Sequence, residues 1–233
     1  MDIFSIEGWY FLLRWFHFLA GITWIGMLYY FNFVQTPFFA TELGGTARSA
    51  MVRGLVPNAL WWFRWGAMFT FLTGWTIILT KLGHDHVPLD SGYMTRILSG
   101  GLMGTIMWAN VWFVIWPAQQ VVIANATNVA AGGTADPTAA ARGARSGTAS
   151  RTNTLFSIPM LFFMGAASHF SALGNGTGVA AYWLCALIVM AAIEANVFFG
   201  TPASQKPLST VGGTIHAGVL VTIVLYALME IIL

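Results

Sequence analysis

Arg14-Trp-Phe-His17-Phe-Leu-Ala-Gly21-Ile-Thr-Trp24-Ile-Gly26-Met-Leu-Tyr-Tyr-Phe-Asn32 is long enough to cross a bilayer and carries a histidine well inside it. A helix rises about 1.5 Å per residue, so in a span that begins near Gly8 the His17 side chain lies roughly 13 Å below one membrane surface. That is too deep for snorkelling to the head groups. Ionisable groups at such depth are costly and mark function, and an imidazole there ligates a metal or haem, or relays protons. The bland alternative is a histidine hydrogen-bonded to a neighbouring helix.

The rest of the composition agrees with a membrane chain. Hydrophobic residues make up 57% of the 233 positions and charged residues 8%, far below the roughly 25% charged of a soluble domain. The net charge of +2 and its scattered cations argue against nucleic acid as a partner. The N-terminus Met-Asp-Ile-Phe-Ser-Ile-Glu lacks a basic n-region and a cleavage site, so the first span reads as a retained helix. The lone Cys185 excludes an intrachain disulfide, and without C-x-x-C-H no c-type haem is expected on this chain.

Apolar runs of about 20 residues predict an all-α polytopic bundle with six spans, at about 8–36, 58–80, 97–116, 154–173, 179–199 and 212–232. They form a single transmembrane domain over 1–233. Pro37 and Pro117 are read as closing the first and third spans, and Asn175-Gly-Thr-Gly178 as a tight link between the fourth and fifth. A long inner connection is expected over about 118–153, with a short interfacial helix at Gln119 to Ala131 and a mobile loop over Ala130 to Thr152. Arg48, Arg53, Arg142, Arg145, Arg151 and Lys206 fall after the odd-numbered spans, so the positive-inside rule puts both termini outside. A multi-pass place in a bacterial cytoplasmic membrane follows.

Three histidines lie in spans: His17, His169 and His216. Each has glycine at helical spacing, Gly21 for His17, Gly165 for His169, and Gly212 with Gly213 for His216, and such offsets share a helix face. His17 and His169 both fall in the outer half, where one haem b bridging them has its axial positions filled, with iron as the metal. Arg14, three residues outward of His17, is either a cation for haem propionates or a head-group anchor. His216 shares the inner half with Asn32, Asn110, Glu194 and Asn196. This cluster supplies the candidate catalytic residues Glu194, His216 and Asn110, read as a second haem site, a proton path, a pocket for a polar substrate or quinone head group, or a polar patch that fixes helix register. His84 and His86 flank Asp85 in an outer loop, a weak metal signal.

At these residues the chain resembles the membrane domain of bacterial urate hydroxylase, the urate oxidase N-terminal domain family. The stretches are Leu13-Arg-Trp-Phe-His17, Ala20-Gly-Ile-Thr-Trp-Ile-Gly26, Trp62-Phe-Arg-Trp65, Leu72-Thr-Gly74, Asn110-Val-Trp-Phe-Val-Ile-Trp-Pro117-Ala-Gln119, Asp136-Pro137 and Ile158-Pro-Met-Leu-Phe-Phe-Met164 running to Ser168-His169. The likeness covers roughly residues 8–200, and His17 and His169 match family histidines. Family members typically continue into a periplasmic cytochrome c domain, whereas this sequence stops at Leu233. They also tend to carry histidines where this chain has Arg151-Thr152 and Glu194 to Val197. The resemblance implies a haem b membrane subunit that exchanges electrons with a periplasmic c-type cytochrome on another chain, within a larger respiratory or dehydrogenase complex. The alternatives are a membrane-embedded urate or purine oxidase with a separately encoded cytochrome, and a cofactor-free assembly subunit.

Overall fold

The computed structural model describes residues 2–170 and 177–233. Six long helices run up and down: α1 Ile6–Phe39, α2 Glu42–Gly83, α3 Gly92–Ala130, α4 Ala139–His169, α5 Val179–Phe199 and α6 Val211–Ile232. Their starts are chemically marked. Ser5, Thr41, Ser91 and Thr210 each accept a backbone N–H three residues on, satisfying a donor that the first helical turn leaves orphaned. Before α5, Gly178 takes φ 95° against the Ile232 carbonyl, a conformation and a closeness that a Cβ would forbid. The rest of the expected link, Asn175 and Gly176, lies outside the described residues.

Helices α1, α3, α5 and α6 are long and apolar enough to cross a membrane, which makes this a membrane protein. Their outward faces carry large exposed apolar side chains such as Phe18 and Ile22 on α1, Leu184 and Ile188 on α5, and Leu220 and Ile223 on α6. In lipid these faces need no cover. Helix α4 is the hub: it packs along α3 and α6 and also touches α1 and α5. From Thr152 to Ser157 every side chain of it is buried, four of the six polar. Its neighbours shield that polarity from lipid. Close crossings are made at glycines, Gly100 against the Met160 carbonyl and Gly218 against Leu155 and Ile158.

The two proline boundaries and the long connection are where the structure departs from the sequence reading. Neither Pro37 nor Pro117 ends its helix. Each is preceded by a π-helical stretch, Tyr30–Gln35 and Asn110–Ile115, in which the Thr36 and Trp116 amides reach back five residues to Phe31 and Val111. In a regular α-turn the proline ring strikes the carbonyl four residues back. Widening that turn relieves the clash and lets the helix continue. So α3 runs on to Ala130, and the segment expected as a mobile loop is largely the first half of α4. Only Ala131–Thr138 connects them, closed by Asn128 donating to the Thr134 carbonyl and Asn125 accepting from the Asp136 amide. Ala, Arg, Ser and Thr in this stretch read as loop, but they suit a helix end that projects from the apolar zone.

Candidate functional site

Both termini and the Gly83–Gly92 connection lie at one end of the bundle; the 40–42, 131–138 and 200–210 connections lie at the other. At this second end a cavity of about 500 Å³ opens between α1, α2, α3, α4 and the 200–210 connection, within the size range of small-ligand sites. The π-turn of α1 sends Asn32 and Gln35 to its wall, α3 adds Gln119 just beyond Pro117, and α4 adds Ser150 and Arg151. Gln205 and Lys206 close it from the connection. Phe31, Phe63, Leu60 and Ile115 supply the apolar surfaces.

Most of these polar groups are anchored. Asn32 Nδ2 donates to the Leu28 carbonyl at 2.9 Å and to Ser150 Oγ at 2.8 Å. Gln119 Nε2 donates to Ser146 Oγ at 2.9 Å, and Gln205 Nε2 to the Asn196 carbonyl at 2.8 Å. Two are not: the buried Gln35 Oε1 and the buried Arg151 Nη1 have no hydrogen-bond partner among the described residues. A buried polar atom left unpaired costs about 1–3 kcal/mol, so an unpaired acceptor from α1 and an unpaired cationic donor from α4 in the lining of one cavity suit a ligand that supplies both partners.

One α4 turn deeper lies a second network. Asn110, at the π-turn of α3, donates to Asn153 Oδ1 at 2.9 Å and to Glu194 Oε2 at 3.0 Å, while Asn153 Nδ2 donates to the Met107 carbonyl at 2.9 Å. The structure therefore brings Asn110 and Glu194 together, through Asn153. It leaves His216 out, exposed on α6, and Asn196 is engaged with Ser204 and Gln205 beyond the end of α5. Gln35, Gln119, Ser150, Asn153 and Gln205 were not singled out from the sequence. The available signal was an amide cluster around each X-Pro: Asn32, Gln35 and Pro37, then Asn110, Pro117 and Gln119.

At the other end, His17 lies on the α1–α2 face. Thr73 Oγ1 spends its only hydrogen on the Phe69 carbonyl at 2.6 Å, so it accepts from His17 Nδ1–H at 3.0 Å. That fixes the tautomer and leaves Nε2 with its lone pair, the arrangement of a metal-ligating imidazole oriented by an outer partner. The glycine that gives the ring room is Gly74, where a Cβ would come within 3.0 Å of Cε1; Gly21 faces Thr70 instead. His169 is exposed in the last turn of α4, and Gly165 borders open space. Tyr29 Oη meets Ser157 Oγ at 2.9 Å, and His17 and His169 each lie twelve residues (29 − 17 and 169 − 157) from that contact in antiparallel helices. They share a depth, but no contact among the described residues joins them. Arg14 is exposed, its guanidinium 5.6 Å from the Tyr10 ring. His84 Nδ1–H donates to the Asp85 carboxylate at 3.0 Å, and no cluster of metal-ligating side chains forms among the described residues.

The sequence profile of a family described as urate oxidase N-terminal matches residues 86–229. The chain belongs to that family. The match spans α3 to α6, and so takes in Asn110, Gln119, Arg151, Asn153, His169, Glu194, Gln205 and His216. Helices α1 and α2, with His17, Asn32 and Gln35, lie before it. No curated protein and no solved structure matches the chain. For a urate-oxidase-related membrane module the cavity falls mostly on family-matched elements, whereas the two depth-matched histidines fall one inside the match and one outside.

Proposed function

We propose that this chain is the membrane-embedded substrate module of a urate-class oxidase, with the cavity beside the α1 π-turn as its binding site. The observation that carries this reading is the pair of unpartnered buried groups, Gln35 Oε1 and Arg151 Nη1, among the residues that line one cavity of mixed amide and apolar surface. A purine-dione or purine-trione anion is planar, carries alternating N–H and C=O groups, and bears negative charge. An N–H of the ring satisfies Gln35, and a ring oxygen satisfies the guanidinium through charge-assisted hydrogen bonds. Asn32 Oδ1, Gln119 and Lys206 are placed to read the remaining edge.

Hydroxylation of such an anion forms one C–O bond to water and releases two protons and two electrons. Glu194, tied through Asn110 to Asn153 on the α4 turn after Ser150 and Arg151, is the carboxylate in that network able to accept a proton. The two electrons would pass, one at a time, to a c-type cytochrome carried on a partner chain. The basic end of the bundle faces the cytoplasm under the positive-inside rule, all six helices cross a bacterial inner membrane, and both termini lie outside.

A haem b in this chain is a second proposal, and the observation favouring it is the Thr73-fixed tautomer of His17 with His169 at the same depth. His17 and His169 would hold a haem on the terminal side of the bundle, and it would supply one-electron chemistry there. A reduced-minus-oxidised spectrum of the purified chain, with His17→Ala and His169→Ala, decides it.

Equilibrium binding of urate to the purified chain in detergent tests the main reading. Saturable binding is expected, weakened at least about tenfold by Arg151→Gln and by Gln35→Leu, the loss of roughly one charged or one buried hydrogen bond. Binding that both variants leave untouched, or no saturable binding at all, refutes it.

A further inference from the structure

A second chamber of about 600 Å³ lies beside the first, towards the end of the bundle. The two share Gln35, Thr36, Val56, Gln119, Ala144 and Gly147, so they are successive rooms with one common doorway. The outer room is differently furnished. Apart from the shared residues its wall is apolar or small, Phe39, Ala40, Val52, Val122, Ala139, Ala140 and Gly143, with a single charge, Arg48, exposed and with its guanidinium 5.7 Å from the Phe39 ring. It thus offers a substrate little to bind to, but a route past it. At the doorway Gly147 has nothing within 4 Å of where a Cβ would stand. Gln119 and Gln35, one from each helix with a π-turn, flank the same opening.

Charge favours traffic of one sign. This end of the bundle carries Arg48, Arg53, Arg64, Arg142, Arg145, Arg151 and Lys206 against Glu42, Asp136 and Glu194, seven cations to three carboxylates. The other end carries Arg14, Lys81 and Arg96 against Asp2, Glu7, Asp85, Asp90 and Glu230, three to five. A cleft with cations at its mouth and at its end concentrates anions and raises their rate of arrival. We infer that the outer chamber is the access vestibule for an anionic substrate, with Arg48 as the capture residue at its mouth and the Gly147–Gln35–Gln119 doorway as the passage to Arg151. This rests on the substrate reading above.

Two measurements on the full chain separate the vestibule from that reading. The first is stopped-flow urate binding to Gly143→Trp, at a glycine that lines the outer room alone. A plugged outer room slows association and dissociation alike, by about tenfold each, and leaves Kd within about twofold; Arg48→Gln lowers only the association rate, by about three- to tenfold at low salt and not at high salt. A Gly143→Trp variant with unchanged kinetics, or with Kd raised tenfold through faster dissociation, overturns the vestibule.

The second needs no urate. In a Cys185→Ala background, Ala144→Cys at the doorway is treated with sulfonatoethyl methanethiosulfonate and with its trimethylammonioethyl counterpart. The anionic reagent is expected to react several-fold faster, and Arg48→Gln is expected to abolish the difference. Equal rates for the two reagents, or a faster cation, refute the anion vestibule. A chain that binds no urate yet shows the anion preference loses the substrate reading and keeps the vestibule.

Discussion

Replacing Asn153 with alanine removes the centre of the buried amide network. Asn153 is fully buried, gives one hydrogen bond to the Met107 carbonyl and takes one from Asn110. The Met107 carbonyl keeps a second partner, the Asn110 backbone N–H, and Asn110 Nδ2 keeps Glu194, so no group is orphaned outright. The cost is then that of two net hydrogen bonds, about 1–3 kcal/mol at roughly 0.5–1.5 each. Membrane bundles, where such bonds average nearer 0.6 kcal/mol, favour the lower half of that range. Reversible unfolding in mixed micelles measures it. Because Asn110→Ala already deletes the shared bond, the double variant is expected to fall short of the sum of the singles by about 0.5–1.5 kcal/mol. Strict additivity, or a loss below about 0.5 kcal/mol for Asn153→Ala, refutes the network as a structural unit.

Other outcomes follow from the same geometry. Glu194→Gln is expected to leave urate affinity within about twofold while slowing oxidation by a reconstituted assembly about 10²-fold or more; an unchanged rate returns Glu194 to a purely structural role. Asp85 is held below the usual carboxylate range by Lys81, then by His84 and Tyr10, which it ties to the start of α1. A depressed folded pKa contributes stability that is complete above the unfolded value of about 3.9 and is lost as pH falls through the folded one. The thermal midpoint should therefore drop more steeply below about pH 4 in the parent than in Asp85→Asn, and parallel curves would show that the carboxylate is not engaged. Thr73→Val removes the acceptor for His17 Nδ1–H, and the imidazole nitrogen shifts in NMR of ring-labelled protein should then show mixed tautomers; a spectrum still confined to one tautomer would mean that Thr73 does not set it.

Six helices were legible as apolar runs, and four of them, holding His17, Met103, Met190 and Leu225, meet the length and apolarity a bilayer demands. Their extents were not, for two physical reasons. Pro37 and Pro117 stop a helix only where the turn before them stays regular, and nothing in the residue pattern announces a widened turn. The stretch from Ala139 to Thr152 is too polar to look like a span, yet it is helical because it projects past the apolar zone and then enters the middle of the bundle. Site residues fared unevenly. Asn110 and Glu194 stood out as polar groups in apolar runs, and they do meet. His216 stood out for the same reason and faces outward, since depth alone says nothing about which side of a helix a residue occupies. Arg151 and Gln35 sat in segments read as loop or span edge, and only the folded cavity shows both with unpaired atoms.

The widened turns also set the angular phase of the two helices that bear them. Each turn accommodates an extra residue in its coil, and at 3.6 residues per turn one residue is worth about 100° of rotation. Without it, the half of α1 that meets α2 through Trp24 and Gly66 and the half that meets Ser150 through Asn32 could not both face their neighbours. Deleting one residue within 30–35, or within 110–115, should therefore behave unlike a deletion in any loop: it would turn one half of a membrane helix against the other, like a shaft whose coupling has slipped by a quarter turn. Which half yields, the lipid-anchored one or the one that walls the cavity, would show where the bundle keeps its rigidity.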